Sequence, residues 1–287
     1  MAYFPLTGAI SSVVGVDLTA SRAMASDGFG KIAVATTTLT ELNYSVGLTS
    51  NIQTQLDSKE VLYSSGYYKI FEEFDTGATT GQWGWISTTS GTASANSVVN
   101  TGVNATDQAA GVIQVSAGTT ITARAALHLG TGNYLFGYAS YDCEWRIELP
   151  ILSDGTVTYT SWVGLIDNGG GGGDCTNGAY FRYDSTQSAN WQMCTSNNGT
   201  QTRTATSTAV TTDWTKLRLV VNNTGTSITY YINGVSVGTI TTNIPITTGR
   251  VFGLGAKVEK SVGSGGGTNR AILLDFARLA ITWGTPR

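Results

Sequence analysis

The sequence predicts an all-β fold, a sandwich of antiparallel sheets, on three observations. Strand-like runs meet at Asn233-Gly234 and again at Asn198-Gly199, dipeptides that accept positive φ at both central positions of a type I′ hairpin. Residues 142–149 alternate charged and apolar side chains, as in a strand with one face in a core and one in water. From about Tyr67 onward, short strand patterns and turn signals follow one another without a long helical window.

Composition agrees with this fold class. The 36 glycines and the 12% of charged residues are typical of many short strands joined by tight polar turns. A net charge of -3 provides no basic surface, so neither nucleic acid nor an anionic membrane is an expected partner. The opening residues lack the basic start of a signal peptide, and the chain has no apolar stretch of membrane-spanning length, so we expect synthesis in the cytoplasm without insertion into a membrane.

Residues 1–65 differ from the rest. The first eight are apolar without a clear period, which favours an arm that becomes ordered on docking. Residues 49–59 predict a helix, because Ser50 and Gln53 have capping-box spacing. Its apolar stripe consists of Leu48, Ile52 and Leu56. A helix this short is marginal alone, so we expect it to pack against other chains.

The N-terminal segment also carries a resemblance to a known family. Its residues are Ala35-Thr36-Thr37-Thr38-Leu39-Thr40-Glu41-Leu42-Asn43-Tyr44, continued by Gly47-Leu48-Thr49-Ser50-Asn51-Ile52-Gln53-Thr54-Gln55-Leu56-Asp57-Ser58-Lys59. This segment resembles one that recurs in tail-fibre and virion-surface proteins of tailed bacteriophages. The resemblance implies that residues 1–65 form a virion-docking arm and a short helical stalk of a homotrimer. Its oligomerisation residues would be Leu42, Leu48, Ile52 and Leu56.

The remainder, residues 66–287, resembles a second family. Trp214-x-x-Leu217-x-Leu219 followed by Tyr231-Ile232-Asn233-Gly234 is similar to the concanavalin-A-like, laminin-G-like jelly roll. That resemblance implies a jelly-roll β-sandwich that presents a binding face for carbohydrate or protein. Trp214 is expected in the core or at its edge.

The loop at residues 167–177 is the most distinctive candidate site. Five consecutive glycines lie between residues with side-chain oxygens, which are Asp167, Asn168, Asp174 and Asn177. Such oxygens suit Ca²⁺ or sugar hydroxyls. The spacing fits no EF-hand or phosphate-binding loop, so three interpretations stay open: a rim loop without metal, a ligand contact, or a calcium site.

Aromatic residues crowd the next two predicted strands. Strand alternation sends Phe181 and Tyr183 to one face and Tyr180 and Arg182 to the other. If Tyr180, Arg182 and Trp191 were exposed near the glycine loop, they would form a platform that stacks on a sugar ring and donates hydrogen bonds to it. The alternative is that these side chains pack in the core.

Catalysis is not predicted. Glu144 and Glu148 flank Arg146 on one strand face, whereas hydrolases of the jelly-roll fold carry an aspartate between their glutamates. Arg146 would also oppose the raised pKa that a general acid needs. His128 is the only histidine and lies in an apolar strand end without a nucleophile motif, which indicates a structural role.

The three cysteines match no zinc template. Cys143 is expected in the core, while Cys175 and Cys194 are close enough to turn signals for a disulfide to remain open.

The predicted function is therefore that of a phage virion-surface protein, a trimeric tail fibre that attaches to a host-surface glycan or protein. Residues 1–65 would bind another virion protein, and the chain would act at the virion surface without cofactor or metal. A capsid decoration or head-fibre protein is the alternative, and a glycan-cleaving enzyme is the third candidate.

Overall fold

A computed structural model describes residues 22–26, 32–38, 66–75, 79, 81–100, 111–130, 134–263 and 270–284. The chain forms two compact units, Met1–Leu62 and Tyr63–Arg287. The predicted docking arm and the predicted helix, with Leu42, Leu48, Ile52 and Leu56, lie outside the described residues.

The described part of the first unit is an antiparallel pair of strands. Strand β1 (Arg22–Ser26) pairs with β2 (Ile32–Thr38). The register places Ser26 opposite Ile32 at one end of the pair and Arg22 opposite Thr38 at the other, with an irregularity next to Arg22. Neither strand is predicted from the local sequence pattern.

The second unit is a sandwich of two antiparallel sheets. Its strands are β3 (Tyr67–Glu72), β4 (Ile86–Ser90), β5 (Ala95–Asn100), β6 (Val112–Ser116), β7 (Arg124–His128), β8 (Ala139–Glu148), β9 (Thr158–Ile166), β10 (Gly178–Asp184), β11 (Ser188–Asn197), β12 (Thr200–Ala209), β13 (Thr215–Val221), β14 (Ile228–Ile232), β15 (Val235–Ile240), β16 (Gly253–Val262) and β17 (Ala271–Trp283). Sheet I has the order β15-β14-β13-β8-β17-β6-β5, with β3 also paired to β17. Sheet II has the order β12-β11-β10-β9-β16-β7-β4. The all-β prediction is confirmed for the described residues of this unit.

The core lies between the two sheets because strands such as β8 and β13 send alternate apolar side chains inward. Trp145 on β8 and Phe181 on β10 belong to one buried cluster. The rings of Phe181 and Tyr230 meet edge to face at 5.2 Å between centroids, and the Tyr230 hydroxyl donates a hydrogen bond to the Cys194 carbonyl at 2.7 Å. These contacts join sheet II to sheet I.

Both predicted hairpins are present. Asn198 and Gly199 have φ of 54° and 81°, and Asn233 and Gly234 have φ of 49° and 82°, as a type I′ turn requires. They connect β11 to β12 and β14 to β15. The sequence pattern also predicts a strand at residues 133–138; this is wrong for the described residues 134–138, where Tyr134 forms only an isolated bridge with Phe252.

Candidate functional site

The glycine-rich loop at residues 167–177 lies against the outer face of sheet II. Hydrogen bonds from the sheet hold its carbonyls: Thr88 Oγ1 to Gly169 O at 2.7 Å, Arg124 Nε to Gly170 O at 2.9 Å and Lys257 Nζ to Gly173 O at 2.5 Å. Glu259 accepts one in return, from Gly173 N to Oε2 at 2.6 Å. The loop is therefore attached to the sheet along its length.

Asp174 anchors the end of the glycine run. Its Oδ1 accepts hydrogen bonds from Trp162 Nε1 at 2.8 Å and Arg182 Nε at 3.0 Å, and its Oδ2 accepts one from Arg203 Nη2 at 2.5 Å. Arg182 is itself buried and also donates to Asp184 at 2.7 Å. Both carboxylate oxygens of Asp174 thus hold the loop to the sheet.

The other three predicted ligand side chains are also hydrogen-bonded internally. Asp167 accepts hydrogen bonds from the backbone N–H groups of Thr176 and Asn177 at 2.9 and 2.6 Å. Burial raises the pKa of Asp167. Asn168 Nδ2 donates to Gly172 O at 3.0 Å, and Asn177 accepts a hydrogen bond from the backbone of Asn198 at 2.9 Å. Within the described residues, no group of three or more carboxylate, thiol or imidazole side chains has a metal-binding arrangement.

The expected exposed platform is not formed. Phe181 and Tyr183 do face the core, and Tyr180 and Arg182 do lie on the other face, as alternation predicts. However, Tyr180 is 0% exposed, because the loop covers that face and Tyr180 packs with Trp162 beneath it. Trp191 is buried in the main core, with its ring 6.4 Å from that of Phe181. Neither ring offers a face to a sugar.

All three cysteines are buried free thiols. Cys143 lies in the main core, as predicted, whereas Cys175 and Cys194 belong to the small cluster under the loop. Burial raises the pKa of the Cys175 thiol to about 12. His128 is also buried, which lowers its pKa.

The glutamates on β8 form part of a charged ladder on the outer face of sheet I. Arg146 Nη1 lies 2.6 Å from Asp275 Oδ2, and Arg278 Nη2 lies 3.1 Å from Glu144 Oε2. Glu148 follows on the same half-buried face of the strand. The half-buried ring of Trp214 lies under the Arg146 guanidinium, 4.7 Å from ring centroid to Cζ, and Trp214 is not part of the buried core cluster in which, or at whose edge, it was expected.

Sequence reasoning missed an open pocket of about 320 Å³, which we call the aromatic pocket. It receives residues from β3, from β4 and from the segments that precede β4 and follow β7. Its lining residues are Tyr68, Ile70, Trp83, Gly84, Ile86, Leu129, Gly130 and Tyr134. Tyr68 is 38% exposed and Trp83 is 45% exposed, so both rings are open to solvent.

A buried carboxylate positions Trp83. Glu72 is 0% exposed and accepts four hydrogen bonds: from Phe74 N at 3.1 Å, Gln82 N at 2.7 Å, Trp83 N at 3.2 Å and Trp85 Nε1 at 3.2 Å. The Trp83 indole N–H donates to Phe71 O at 2.8 Å. Both the backbone and the ring of Trp83 are therefore fixed in place before any ligand binds.

Gly81 allows the turn before Trp83 to close over Glu72. Its φ is +53°, and a Cβ at this position would lie 2.4 Å from Glu72 Oε2. A side chain here would be strained and would collide with the carboxylate. The run Gly81-Gln82-Trp83-Gly84-Trp85, two tryptophans spaced by glycines, is the sequence signal that could have identified the site.

The pocket offers aromatic faces and phenol groups. Tyr134 is half-buried, and its phenol interacts electrostatically with that of Tyr68. Burial raises the pKa of Tyr134, so its hydroxyl stays protonated and can donate as well as accept. Ring faces can stack on the apolar face of a flat ligand while the hydroxyls fix its orientation.

A second, smaller pocket of about 290 Å³ lies beside the loop. Its lining includes Trp162, Asp174, Arg182 and Glu259, but Trp162 is only 3% exposed. Asp174, Arg182 and Glu259 are already joined to one another or to the loop, and Lys260 donates hydrogen bonds to the carbonyls of Gly118 and Thr119. This pocket therefore lacks an accessible ring.

Fold and pocket together define the larger unit as an antiparallel β-sandwich with an open aromatic pocket that residues of both sheets line. Residues 108–275 match the family described as SO2946-like, C-terminal domain. The match covers more than half of the 287 residues, and the chain belongs to this family.

Several solved structures are similar to this chain at low sequence identity. The crystal structure of the protein of unknown function SO2946 from Shewanella oneidensis MR-1 is 14% identical, with a TM-score of 0.56 over 84% of this chain and 98% of that chain. Endo-1,3-beta-glucanase from Streptomyces sioyaensis is 13% identical, with a TM-score of 0.46 over 76% and 98%. Peanut lectin is 12% identical, with a TM-score of 0.47 over 76% and 99%. No curated protein matches the sequence.

Proposed function

We propose that the larger unit is a carbohydrate-binding domain whose binding site is the aromatic pocket. One observation carries this proposal: the exposed Trp83 ring is fixed by Glu72 and by Phe71 O at the mouth of a pocket. A rigid exposed tryptophan adds little to the stability of a protein. In a sugar-binding site it provides a stacking surface, and because the ring is already fixed, binding a sugar loses no further side-chain entropy there. The Tyr68 and Tyr134 hydroxyls supply the polar contacts.

We infer that this domain serves a phage virion-surface protein. The support is the resemblance of residues 35–59 to tail-fibre and virion-surface proteins. In this proposal a homotrimer docks on another virion protein through residues 1–65 and presents three sandwiches to a host-surface glycan. Weak binding at each pocket then adds up through avidity. The chain would act as an adhesin, without catalysis.

The binding proposal is tested by screening the full-length protein on an array of immobilised glycans and then measuring affinity for the best hit. Trp83→Ala should weaken binding about 30-fold, the effect of removing a hot-spot residue worth about 2 kcal/mol. Tyr138→Ala is the matched control, because Tyr138 is a 64% exposed aromatic residue outside the pocket lining. Equal losses in both variants, or no binding by the parent chain, would contradict the proposal.

The virion role needs a separate test. Copy number per phage particle, measured by quantitative mass spectrometry, distinguishes a tail fibre, present in tens of copies, from a capsid decoration protein, present in hundreds. Absence from purified particles would refute both. Incubation of the protein with the bound polysaccharide tests the third candidate, since a fall in chain length would indicate a glycan-cleaving enzyme.

A further inference from the structure

We propose that the aromatic pocket selects uncharged sugar residues and rejects acidic ones. This inference rests on the proposed function and names the class of sugar that the same site accepts. The reason is the electrostatic character of the pocket, which three features of the structure establish.

First, the lining contains no cation to pair with an acidic sugar. Among the described residues that line the pocket, the ionisable side chains are the phenols of Tyr68 and Tyr134. Lys69 follows Tyr68 on β3, but strand alternation directs it to the opposite face. His128 precedes the lining residue Leu129, but burial lowers its pKa, so it is neutral at physiological pH. A carboxylate in this pocket would lose water without gaining a partner.

Second, a fixed negative charge lies behind the pocket. The Glu72 carboxylate accepts hydrogen bonds from Trp83 N and Trp85 Nε1, next to the lining residues Trp83 and Gly84. Its four hydrogen-bond donors are all uncharged N–H groups. No lysine or arginine in the described ranges forms an ion pair with it. The charge therefore acts on the pocket without a neighbouring cation to offset it.

Third, the ring faces of Tyr68, Trp83 and Tyr134 carry the negative side of the aromatic quadrupole. These negative ring faces repel an anion but allow a neutral sugar ring to stack on them. For two carboxylates about 10 Å apart at an effective dielectric constant of about 20, Coulomb's law gives a repulsion that corresponds to on the order of tenfold in affinity. The full-length protein should therefore bind a neutral sugar at least about tenfold more tightly than its acidic counterpart.

The sharpest test uses pairs of sugars that differ only at C6. The probes are methyl glucoside with methyl glucuronide, and methyl galactoside with methyl galacturonide, titrated against the full-length protein by NMR. Trp83→Ala identifies which signals belong to the aromatic pocket. We expect the neutral member to bind through Trp83 and the uronide to bind at least about tenfold more weakly.

A charge-reversal variant completes the test. Tyr68→Lys places a cation at the partly exposed edge of the pocket and should reduce or reverse the preference for the neutral sugar. Tyr138→Lys, a control at an exposed residue outside the lining, should not change this preference. Uronide binding through Trp83 that equals or exceeds binding of the neutral sugar would overturn the charge selection while leaving sugar binding intact. Absence of Trp83-dependent binding for every probe would overturn the proposed function itself, and this inference with it.

Discussion

Glu72→Ala should destabilise the larger unit far more than a typical surface substitution. The change removes the acceptor of four hydrogen bonds. Gln82 N and Trp83 N are part-buried, so water can replace the lost acceptor there. Phe74 N and the Trp85 indole are buried and would stay unsatisfied, at about 1–3 kcal/mol each. We expect a loss of about 3 kcal/mol in the free energy of unfolding.

Glu72→Gln should lower the free energy of unfolding by less, about 1 kcal/mol. Three of the four donors bond to Oε2, where the amide oxygen of glutamine can still accept. Only the hydrogen bond from Phe74 N to Oε1 would be replaced by two donors that face each other. Glu72→Ala should therefore destabilise the unit more than Glu72→Gln does. The neighbouring control, Glu73→Ala, should change the free energy of unfolding by about zero.

The assay is guanidinium unfolding followed by tryptophan fluorescence. All seven tryptophans lie within Tyr63–Arg287, so this signal reports the larger unit alone. If Glu72→Ala and Glu73→Ala have the same free energy of unfolding, the argument that Glu72 organises the tryptophan turn is refuted. If Glu72→Gln is as damaging as Glu72→Ala, the assignment of three donors to one oxygen is refuted.

Three further predictions follow from burial and backbone geometry. Gly81→Ala should lower the melting temperature much more than Gly84→Ala: both glycines have positive φ, but a Cβ collides with Glu72 only at position 81; equal shifts would contradict this. Burial lowers the pKa of His128 below 6.5, so on acidification the unfolded chain binds the proton before the folded one does. The urea concentration at the unfolding midpoint should therefore decrease as the pH is lowered past about 6.5, and should decrease less steeply in His128→Gln; identical pH profiles would contradict the burial argument. Ellman's reagent should label none of the three buried thiols in the native protein near pH 8 and all three in urea; rapid native labelling of Cys175 would show that the loop opens.

The sheets were predictable because their signals are local. Asn198-Gly199 and Asn233-Gly234 select one turn type from two adjacent residues, and the alternation along 142–149 reads directly as one buried and one half-buried face. The strand β5, by contrast, was missed because its sequence ANSVVN has no clear alternation and few strong strand formers. Its assignment depends on pairing with β6, which a local pattern does not contain.

The site was harder to predict because burial depends on distant contacts. Alternation assigned Tyr180 to the correct face but not to the interior. Tyr180 is buried because the glycine loop covers it, and a hydrogen bond between Thr88 and Gly169, 81 residues apart, is one of those that hold the loop. In the same way, Glu72 looks like a solvated charge until the turn 10 to 13 residues later folds back onto it.

The aromatic pocket is a better binding site than the glycine loop because its exposed side chains are less engaged in internal hydrogen bonds. At the loop, the acidic and amide side chains are engaged by neighbours, so a ligand would have to break existing hydrogen bonds. At the pocket, the buried carboxylate of Glu72 is used to fix the turn, and the rings of Tyr68 and Trp83 remain exposed. A ligand there replaces water alone. A small uncharged pocket of this kind offers few strong contacts, so its affinity for one sugar will be low, and useful attachment to a cell surface would have to come from several copies acting together. That requirement is the physical link between the proposed pocket and the proposed trimer.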